Sequence, residues 1–527
     1  LSRDAKTYLG YRGYCVEKET INNDAKKFIR ERLLAKPQTM NMGMGGGGAN
    51  TYPVYMESTT KFYLPRYFGI KYFGPPKEIR IKQGTTISLK FKGDLREYQM
   101  DIIATYMQHI GLPLAQQQQQ QQSPNIKAFQ EGRGGGSIEV GCGRGKTVMA
   151  LKIIELIAKK TRIIVHKEFL KNQWIERIQQ FLPDARVGCI QGPIIDVEDR
   201  DIVIVMLQSL SQKEYPDEIF RDFGLTIVDE CHHISSEVFC RALQSNITAY
   251  SLALSATMDR KDGLTWVFKS FLGDLVFREA KRKEDAVLVK AITYSVYNDD
   301  DYNEVEIDMR GNVKYSTMIS KLCAYNSRSE FIVKVIAQEL ALNPDQQIIL
   351  LSQNKSLLTY LEKAIKYREI CSVGYYIGGM KQDALKASES KTVILATYQM
   401  AAEALDIKSL TTLILATPKT DIIQASGRIL REKHENPLII DIVDSHDLFK
   451  RQFDKRKKFY LDQDYTILKT DCRRYEGQGQ TNAKGPNTTD IWERIDRTTV
   501  NNRRNRNKTN SVQGSGSTTG CLIDISV

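Results

Sequence analysis

The chain has 527 residues, 41% of them hydrophobic, which is enough for several packed cores and too much for one small domain. Its formal net charge of +12 points to a polyanionic partner, nucleic acid before an acidic membrane face. No apolar run reaches membrane-spanning length, the polar start at Leu1 lacks a secretory apolar region, and the nine cysteines stand singly without a Cys-x-x-Cys pair; a soluble intracellular protein with no membrane span, disulfide framework or zinc ribbon is expected.

Residues 1–92 precede every motif and read as an N-terminal accessory domain, interrupted by the flexible run Met40 to Asn50. Its last part has the pattern of a hairpin. Ile79 and Ile81 alternate with Arg80 and Lys82, Gly84 and Thr85 offer a turn, and Ile87, Leu89 and Phe91 alternate with Ser88, Lys90 and Lys92. The basic face of that hairpin is either plainly solvated or a nucleic-acid surface.

Over residues 93–282 short apolar strands alternate with amphipathic helices, the pattern of a doubly wound parallel sheet. Strands are expected at Ile138 to Val140, Arg162 to His166, Asp201 to Leu207, Leu225 to Val228 and Ser251 to Leu254. The glutamine run Gln116 to Gln122 and the Gly-rich Glu131 to Ser137 read as a disordered insertion. The alternation restarts over residues 283–468, with strands from Ala291 and near Gln347 to Leu351, Thr392 to Ala396, Leu413 to Ala416 and Leu438 to Ile442. Residues 469–527 turn polar and end in the basic run Asn501 to Lys508 and a Gly/Ser/Thr stretch; too little apolar surface remains to offset ordering entropy, so a disordered basic tail is expected. The fold class is therefore α/β: two tandem doubly wound parallel-sheet lobes between an accessory domain and a tail.

Three motifs carry chemistry. Gly141, Cys142, Gly143, Arg144, Gly145, Lys146 and Thr147 lie between a predicted strand and a helix that continues through Met149, Leu151, Ile153 and Ile154. Such a loop offers backbone N–H groups to phosphate oxygens, with Lys146 for the terminal phosphates and the Thr147 hydroxyl for Mg²⁺. Val140 stands where these loops usually carry their first glycine. Asp229 and Glu230 follow an apolar strand and so emerge at the carboxyl edge of the sheet, where ligands of open α/β sheets sit. Asp229 suits Mg²⁺ held through water, and Glu230 suits orienting and deprotonating an attacking water. His232, just beyond them, is read as coupling nucleotide state to the neighbouring lobe. Arg428 and Arg431 share one helical face with Gln424. Phosphoryl transfer spreads negative charge over the γ-phosphate oxygens, and these arginines of the second lobe are expected to meet it on closure.

On these residues the chain resembles the superfamily 2 helicases of DExH type, and within them the XPB-like branch that includes phage and bacterial relatives and the helicases of large nucleocytoplasmic DNA viruses. The resemblance runs from Leu95 to about Tyr460. Leu95 to Gln99 resembles the adenine-contacting motif, Ile163 to Trp174 motif Ia, Ser255 to Thr257 motif III, Ser352 to Asn354 motif IV and Thr397 to Asp406 motif V. Lys261 departs from the Arg-Glu-Asp of XPB proteins, and Ala404 stands where a glycine is frequent.

The resemblance implies two RecA-like lobes using ATP and Mg²⁺. The nucleotide would be met by Gln99, the loop from Gly141 to Thr147 and Asp406; Mg²⁺ by Thr147 and Asp229; coupling would run through His232, Ser255 and Thr257. His166, Lys167, Gln208, Ser209, Gln353 and Thr397 would hold the phosphates of one strand, contacts that read no base sequence. Trp174 and Phe169 are read as packing rather than base-stacking. The implied activity is an ATP-dependent, DNA-stimulated helicase or translocase of 3′ to 5′ polarity, serving transcription termination, transcript release or repair. Its expected partners are DNA, as single strand or duplex junction, and the transcription or repair machinery, in a nucleus, viral factory or virion. An RNA helicase shares the same engine. A translocating subunit of a restriction or remodelling complex, and a non-hydrolysing ATP-gated scaffold, are further readings; the presence together of Lys146, Glu230, Arg428 and Arg431 weighs against the scaffold.

Overall fold

The computed structural model describes residues 4–37, 51–114, 128, 131, 133–141, 143–231, 236–244, 246–260, 262–279, 287–403, 407, 409–426, 437–477 and 491–495. The chain divides into two compact units, Leu1–Ala280 and Lys281–Val527.

In the first unit eight strands form one sheet in the order Ile194–Ile195, Val187–Gln191, Ile202–Met206, Thr161–Val165, Leu225–Asp229, Tyr250–Ser255, Gly135–Glu139 and Leu275–Arg278; all neighbours are parallel except the first pair. The strands are continuous apolar runs because both faces are covered. Along Ile202–Met206, Ile202 and Ile204 enter one core while Val203 and Val205 enter the other. The helices Lys146–Ile157 and Glu168–Phe181 supply buried residues to the core of Ile202 and Ile204.

On the opposite face the helices Leu207–Gln212, Ser236–Gln244 and Thr265–Leu272 share one core with the N-terminal segment. Its five-stranded sheet runs Met56–Glu57, Lys61–Leu64, Gly13–Glu17, Thr7–Gly10 and Glu78–Ile79. Leu9, Tyr14, Phe62 and Phe68 belong to the same continuous core as Ile164, Val203, Val205, Phe220 and Phe268. Arg66, buried, reaches across to donate to the Ala249 carbonyl at 2.8 Å. The expected hairpin after residue 78 does not form. Glu78–Ile79 pairs parallel with Thr7–Gly10, whereas Thr86 bridges to Lys159, the Ile87 N–H donates to the Ala158 carbonyl and the Lys92 N–H to the Phe181 carbonyl. The segment is thus an extended strap, and Phe91 stacks on Phe181 with ring centroids 5.5 Å apart.

The Gly-rich stretch before the phosphate loop is also different from expectation. Gly135 and Gly136 begin a strand inside the sheet, one residue pair across from Ser251 and Leu252. A Cβ on Gly135 would stand 1.9 Å from Ser251 Oγ, and one on Gly136 would stand 2.2 Å from Val276 Cγ2. Close approach, not backbone freedom, is the need these glycines meet. The glutamine run lies outside the described residues.

The second unit repeats the architecture in the order Val373–Tyr376, Val393–Thr397, Gln347–Ser352, Leu410–Leu415, Leu438–Asp444, Leu288–Tyr294, Thr466–Asp471 and Glu493–Ile495, with only the last pair antiparallel. The strand Leu438–Asp444 carries two buried carboxylates. Asp444 takes two bonds from Arg328, and Asp441 takes two from Arg456 and one from Tyr460. Thr466–Asp471, the helix Cys472–Gly477 and Glu493–Ile495 correct the expectation of a tail starting at residue 469. Ile467 and Tyr475 are buried there, Tyr475 donates to Glu339 at 3.0 Å and meets the Trp492 ring at 6.1 Å, so a few apolar anchors suffice to order a polar stretch. The rest of the expected tail, 478–490 and 496–527, lies outside the described residues. These two sheets, each doubly wound by helices, are tandem RecA-like α/β lobes.

Candidate nucleotide site

The strand Gly135–Glu139 ends at buried Val140, whose N–H donates to the Ser255 carbonyl at 3.1 Å. The chain then turns through Gly143 (φ 76°) and Gly145 (φ 77°) into the helix Lys146–Ile157. Both angles lie in the left-handed region that glycine enters without a Cβ penalty. At Gly145 a Cβ would also come within 2.4 Å of Gln99 Nε2. N–H groups in the first turn of a helix lack intrahelical partners and add to its dipole, which makes this loop an anion cradle. Thr147 is the second residue of that helix.

Gln99, buried, is tied to the loop. Its Oε1 accepts the Arg96 N–H at 3.0 Å and its Nε2 donates to the Arg144 carbonyl at 3.1 Å, which also accepts the Tyr98 hydroxyl at 3.2 Å. The Arg144 guanidinium lies 3.7 Å over the Tyr98 ring and pairs with Glu279. Glu279 in turn accepts the Gly141 N–H at 2.9 Å.

The acidic pair closes the other side. Lys146 Nζ stands 3.6 Å from Glu230 Oε1 and 3.5 Å from the Val140 carbonyl. Asp229, last residue of its strand, is buried with both oxygens engaged: Oδ2 accepts the Trp174 indole N–H at 2.9 Å and Oδ1 the Glu230 N–H at 2.9 Å. Burial pushes the Asp229 carboxyl up to about 6, the charge of Glu230 adds to this, and Lys146 and the Trp174 N–H oppose it. Glu230 has φ 48°, a strained value for a residue with a side chain, of the kind that persists only where its surroundings over-determine it.

The coupling candidates Ser255 and Thr257 bond to each other. Ser255 Oγ donates to the Thr257 carbonyl at 2.6 Å and accepts the Thr257 N–H at 3.1 Å, and Ser255 sits opposite Glu139 in the sheet, at the root of the phosphate loop. The neighbouring turn is closed by Arg260 pairing with Asp262 at 2.6 Å.

Among the candidate strand contacts, Gln208 Nε2 donates to the His166 carbonyl at 2.7 Å, so these two are brought together. Lys167 precedes the helix Glu168–Phe181 as its N-cap, and burial lowers its pKa. Ser209 is buried, its hydroxyl accepting the Gly192 N–H at 2.8 Å. In the second unit Ser352 and Thr397 are register partners, which sets Gln353 and Thr397 on adjacent strand ends. Gln353 is exposed and donates to the Tyr315 hydroxyl at 3.0 Å; Thr397 Oγ1 accepts the Met400 N–H at 3.5 Å. Cys142, His232, Asp406, Arg428 and Arg431 lie outside the described residues, as does the side chain of Gln424 on the helix Ile423–Ser426.

Sequence reasoning missed two residues of this site. Trp174, read as packing only, is buried in the core and also holds Asp229. Glu279 had no local signal, since it lies 138 positions from the glycine it contacts. Among the described residues no His/Cys/Asp/Glu group could hold a metal by itself, and no helix is long and apolar enough to cross a membrane.

The family model described as "Type III restriction enzyme, res subunit" matches residues 92–260. The chain is 34% identical over 478 residues to the Acanthamoeba polyphaga mimivirus protein named "Putative ATP-dependent RNA helicase L396", covering 89% of this chain and 88% of that one. It is 27% identical to "Putative helicase 161L" of Invertebrate iridescent virus 6, over 71% of this chain and 82% of that one. It is 25% identical to "Putative ATP-dependent RNA helicase QP509L" of African swine fever virus, over 75% and 85%. With a phosphate loop, an Asp-Glu pair at a strand end and a second lobe of the same build, the chain belongs to the superfamily 2 helicases, in the type carried by nucleocytoplasmic large DNA viruses.

Proposed function

We propose that this helicase hydrolyses ATP with Mg²⁺ and uses the cycle to travel along, and part, nucleic acid. The observation that carries this reading is the Lys146–Glu230 approach of 3.6 Å between a left-handed glycine loop and a strained strand end. ATP and Mg²⁺ fit the donor set: positive-φ glycines and a helix start for phosphates, a lysine, a hydroxyl and two carboxylates. Thr147 and, through water, Asp229 would hold the cation, which supplies positive charge to phosphate oxygens when bound. Gln99 and the loop from Gly141 to Gly145 hold the nucleotide, and Lys146 aligns its terminal phosphate. Glu230 orients the attacking water and takes its proton at a carboxylate oxygen. Arg428 and Arg431, with Gln424, bring cations to the γ-phosphate oxygens. Residues 93–282 act as the ATP-binding lobe and residues from 283 through the strand Thr466–Asp471 as the C-terminal helicase lobe, with His166, Lys167, Gln208, Ser209, Gln353 and Thr397 on strand phosphates.

The proposed strand is DNA, travelled 3′ to 5′, in transcription termination, transcript release or repair. The +12 charge supports a polyanion without choosing its sugar. RNA is the second reading, favoured by the RNA-helicase names of the mimivirus and African swine fever virus relatives. ATP hydrolysis measured with DNA and with RNA oligonucleotides, paired with unwinding of 3′-tailed and 5′-tailed duplexes, tests both. Stimulation by DNA and unwinding from a 3′ tail are expected; stimulation by RNA alone replaces the DNA reading, and no hydrolysis with either removes the motor.

A further inference from the structure

The carboxylate of Asp229 is held from two sides. One bond is local, from the next backbone N–H at Glu230. The other comes from the indole of Trp174, 55 positions away in sequence and only 1% exposed. Two donors on the two oxygens fix the plane of the carboxylate as well as its place. An indole N–H is a donor only, so it can serve the carboxylate but cannot compete with it for a cation.

Trp174 belongs to the helix Glu168–Phe181, which starts directly after His166 and Lys167. Trp174 lies six positions beyond Glu168, which at the rise of an α-helix is roughly 9 Å of rigid rod. The front end of that rod is anchored by Gln208 on the His166 carbonyl, and its next turn by Lys171 donating to Gln191 at 2.6 Å. The strand before the helix, Thr161–Val165, lies directly beside Leu225–Asp229, with Ile164 opposite Val228. A small shift of the His166 end therefore has two short routes to Asp229, of which the indole is the one that reaches the carboxylate itself.

We infer that Trp174 is a positioning residue: it orients Asp229 for the cation of the bound nucleotide and passes the state of the His166–Lys167 end to it. This rests on the proposed ATP reading, in which Asp229 faces Mg²⁺ and His166 and Lys167 face the strand.

The first test is Trp174→Phe in the full chain, which keeps an aromatic ring in the core while removing the N–H and part of the ring's volume. Wild type and variant are compared in ATP hydrolysis, with and without the stimulating oligonucleotide, across Mg²⁺ concentrations. Expected for the variant are kcat lower by about tenfold, KM for ATP within about twofold, half-saturating Mg²⁺ raised at least about threefold, and a smaller stimulation by the oligonucleotide. A merely structural role would leave the Mg²⁺ dependence and the stimulation ratio in place, and a folded variant that keeps both overturns the inference. The second test needs no variant of Trp174. With Trp266→Phe and Trp492→Phe, Trp174 is the single indole of the chain, and its emission is followed while Mg²⁺ with ADP is added. A saturable change that ADP with EDTA does not give is expected; emission that ignores Mg²⁺ at saturating nucleotide overturns the inference, whether or not Trp174→Phe folds. A wild type that neither binds nor hydrolyses Mg·ATP removes the ATP reading and this inference together, whereas an active wild type matched by Trp174→Phe removes only the latter.

Discussion

The Glu279 carboxylate accepts the Gly141 N–H and pairs with the Arg144 guanidinium, so a residue at the very end of the first unit clasps its phosphate loop. This clasp places negative charge beside a cradle built for anions and engages one of its cations. Glu279→Gln keeps an acceptor for Gly141 and removes the charge. It is expected to lower KM for ATP about threefold at low salt, the scale of a partly exposed ion pair worth ~0.6 kcal/mol, and to lose the effect at high salt. Steady-state kinetics at two ionic strengths check it; an unchanged or higher KM at low salt speaks against the clasp.

Lys146 and Glu230 stand 3.6 Å apart but are assigned different tasks. Lys146→Ala is expected to lose both nucleotide affinity and turnover, and Glu230→Gln to keep affinity while turnover falls at least about a hundredfold, the usual scale for a lost base or charge contribution. Binding of a fluorescent ATP analogue beside single-turnover hydrolysis separates the two. Equal defects in both variants would refute the division of roles.

The raised pKa of Asp229 carries a pH signature. Its folded value is about 6 against an ordinary 3.8, so the folded protein binds this proton more tightly than the unfolded chain does. The resulting stabilisation is full below pH ~4 and is lost as pH rises through about 6. Asp229→Asn cannot lose it. Without nucleotide, the melting temperature of Asp229→Asn relative to wild type should climb between pH ~4 and ~7 and then level off. A difference that is flat across that window argues that Asp229 titrates normally.

Arg328 and Asp444 are fully buried together, with the Tyr302 hydroxyl also donating to Asp444 at 3.1 Å. Removing one partner leaves a buried charge alone. Asp444→Ala is expected to cost the second unit about 3–5 kcal/mol, and Arg328→Met with Asp444→Leu to recover most of it. Trp492, packed on Tyr475 in the same unit, gives a local probe during urea unfolding. A double variant as weak as the single one would mean that the pair stabilises by more than mutual neutralisation.

The parts of this molecule that were legible in its sequence are those whose meaning is local. The strand Leu225–Asp229 and the turn from Gly143 into Lys146 could be placed because apolar runs and glycines there act on their immediate neighbours. Residues whose partners are distant could not. Gly135 and Gly136 look like freedom until Ser251 and Val276 stand against them. Alternation from Ile79 to Lys92 tells which side of a strand is apolar, yet not that one end joins Thr7–Gly10 while the other runs along Lys159. Trp174 advertised a core position and hid its bond to Asp229, since burial and donation use different parts of one ring. Polar composition after residue 468 concealed Tyr475, for a mean over many residues does not register one anchor.

The core that Leu9, Tyr14 and Phe62 share with Ile164, Val203 and Val205 makes the boundary near residue 92 a poor place to cut. A shortened chain starting there would turn to water the apolar surface of this core that Leu9, Tyr14, Phe62 and Phe68 cover, and self-association is the physical outcome of such a patch. What precedes the motor motifs is thus part of the packing around the nucleotide-binding sheet and not a detachable appendage.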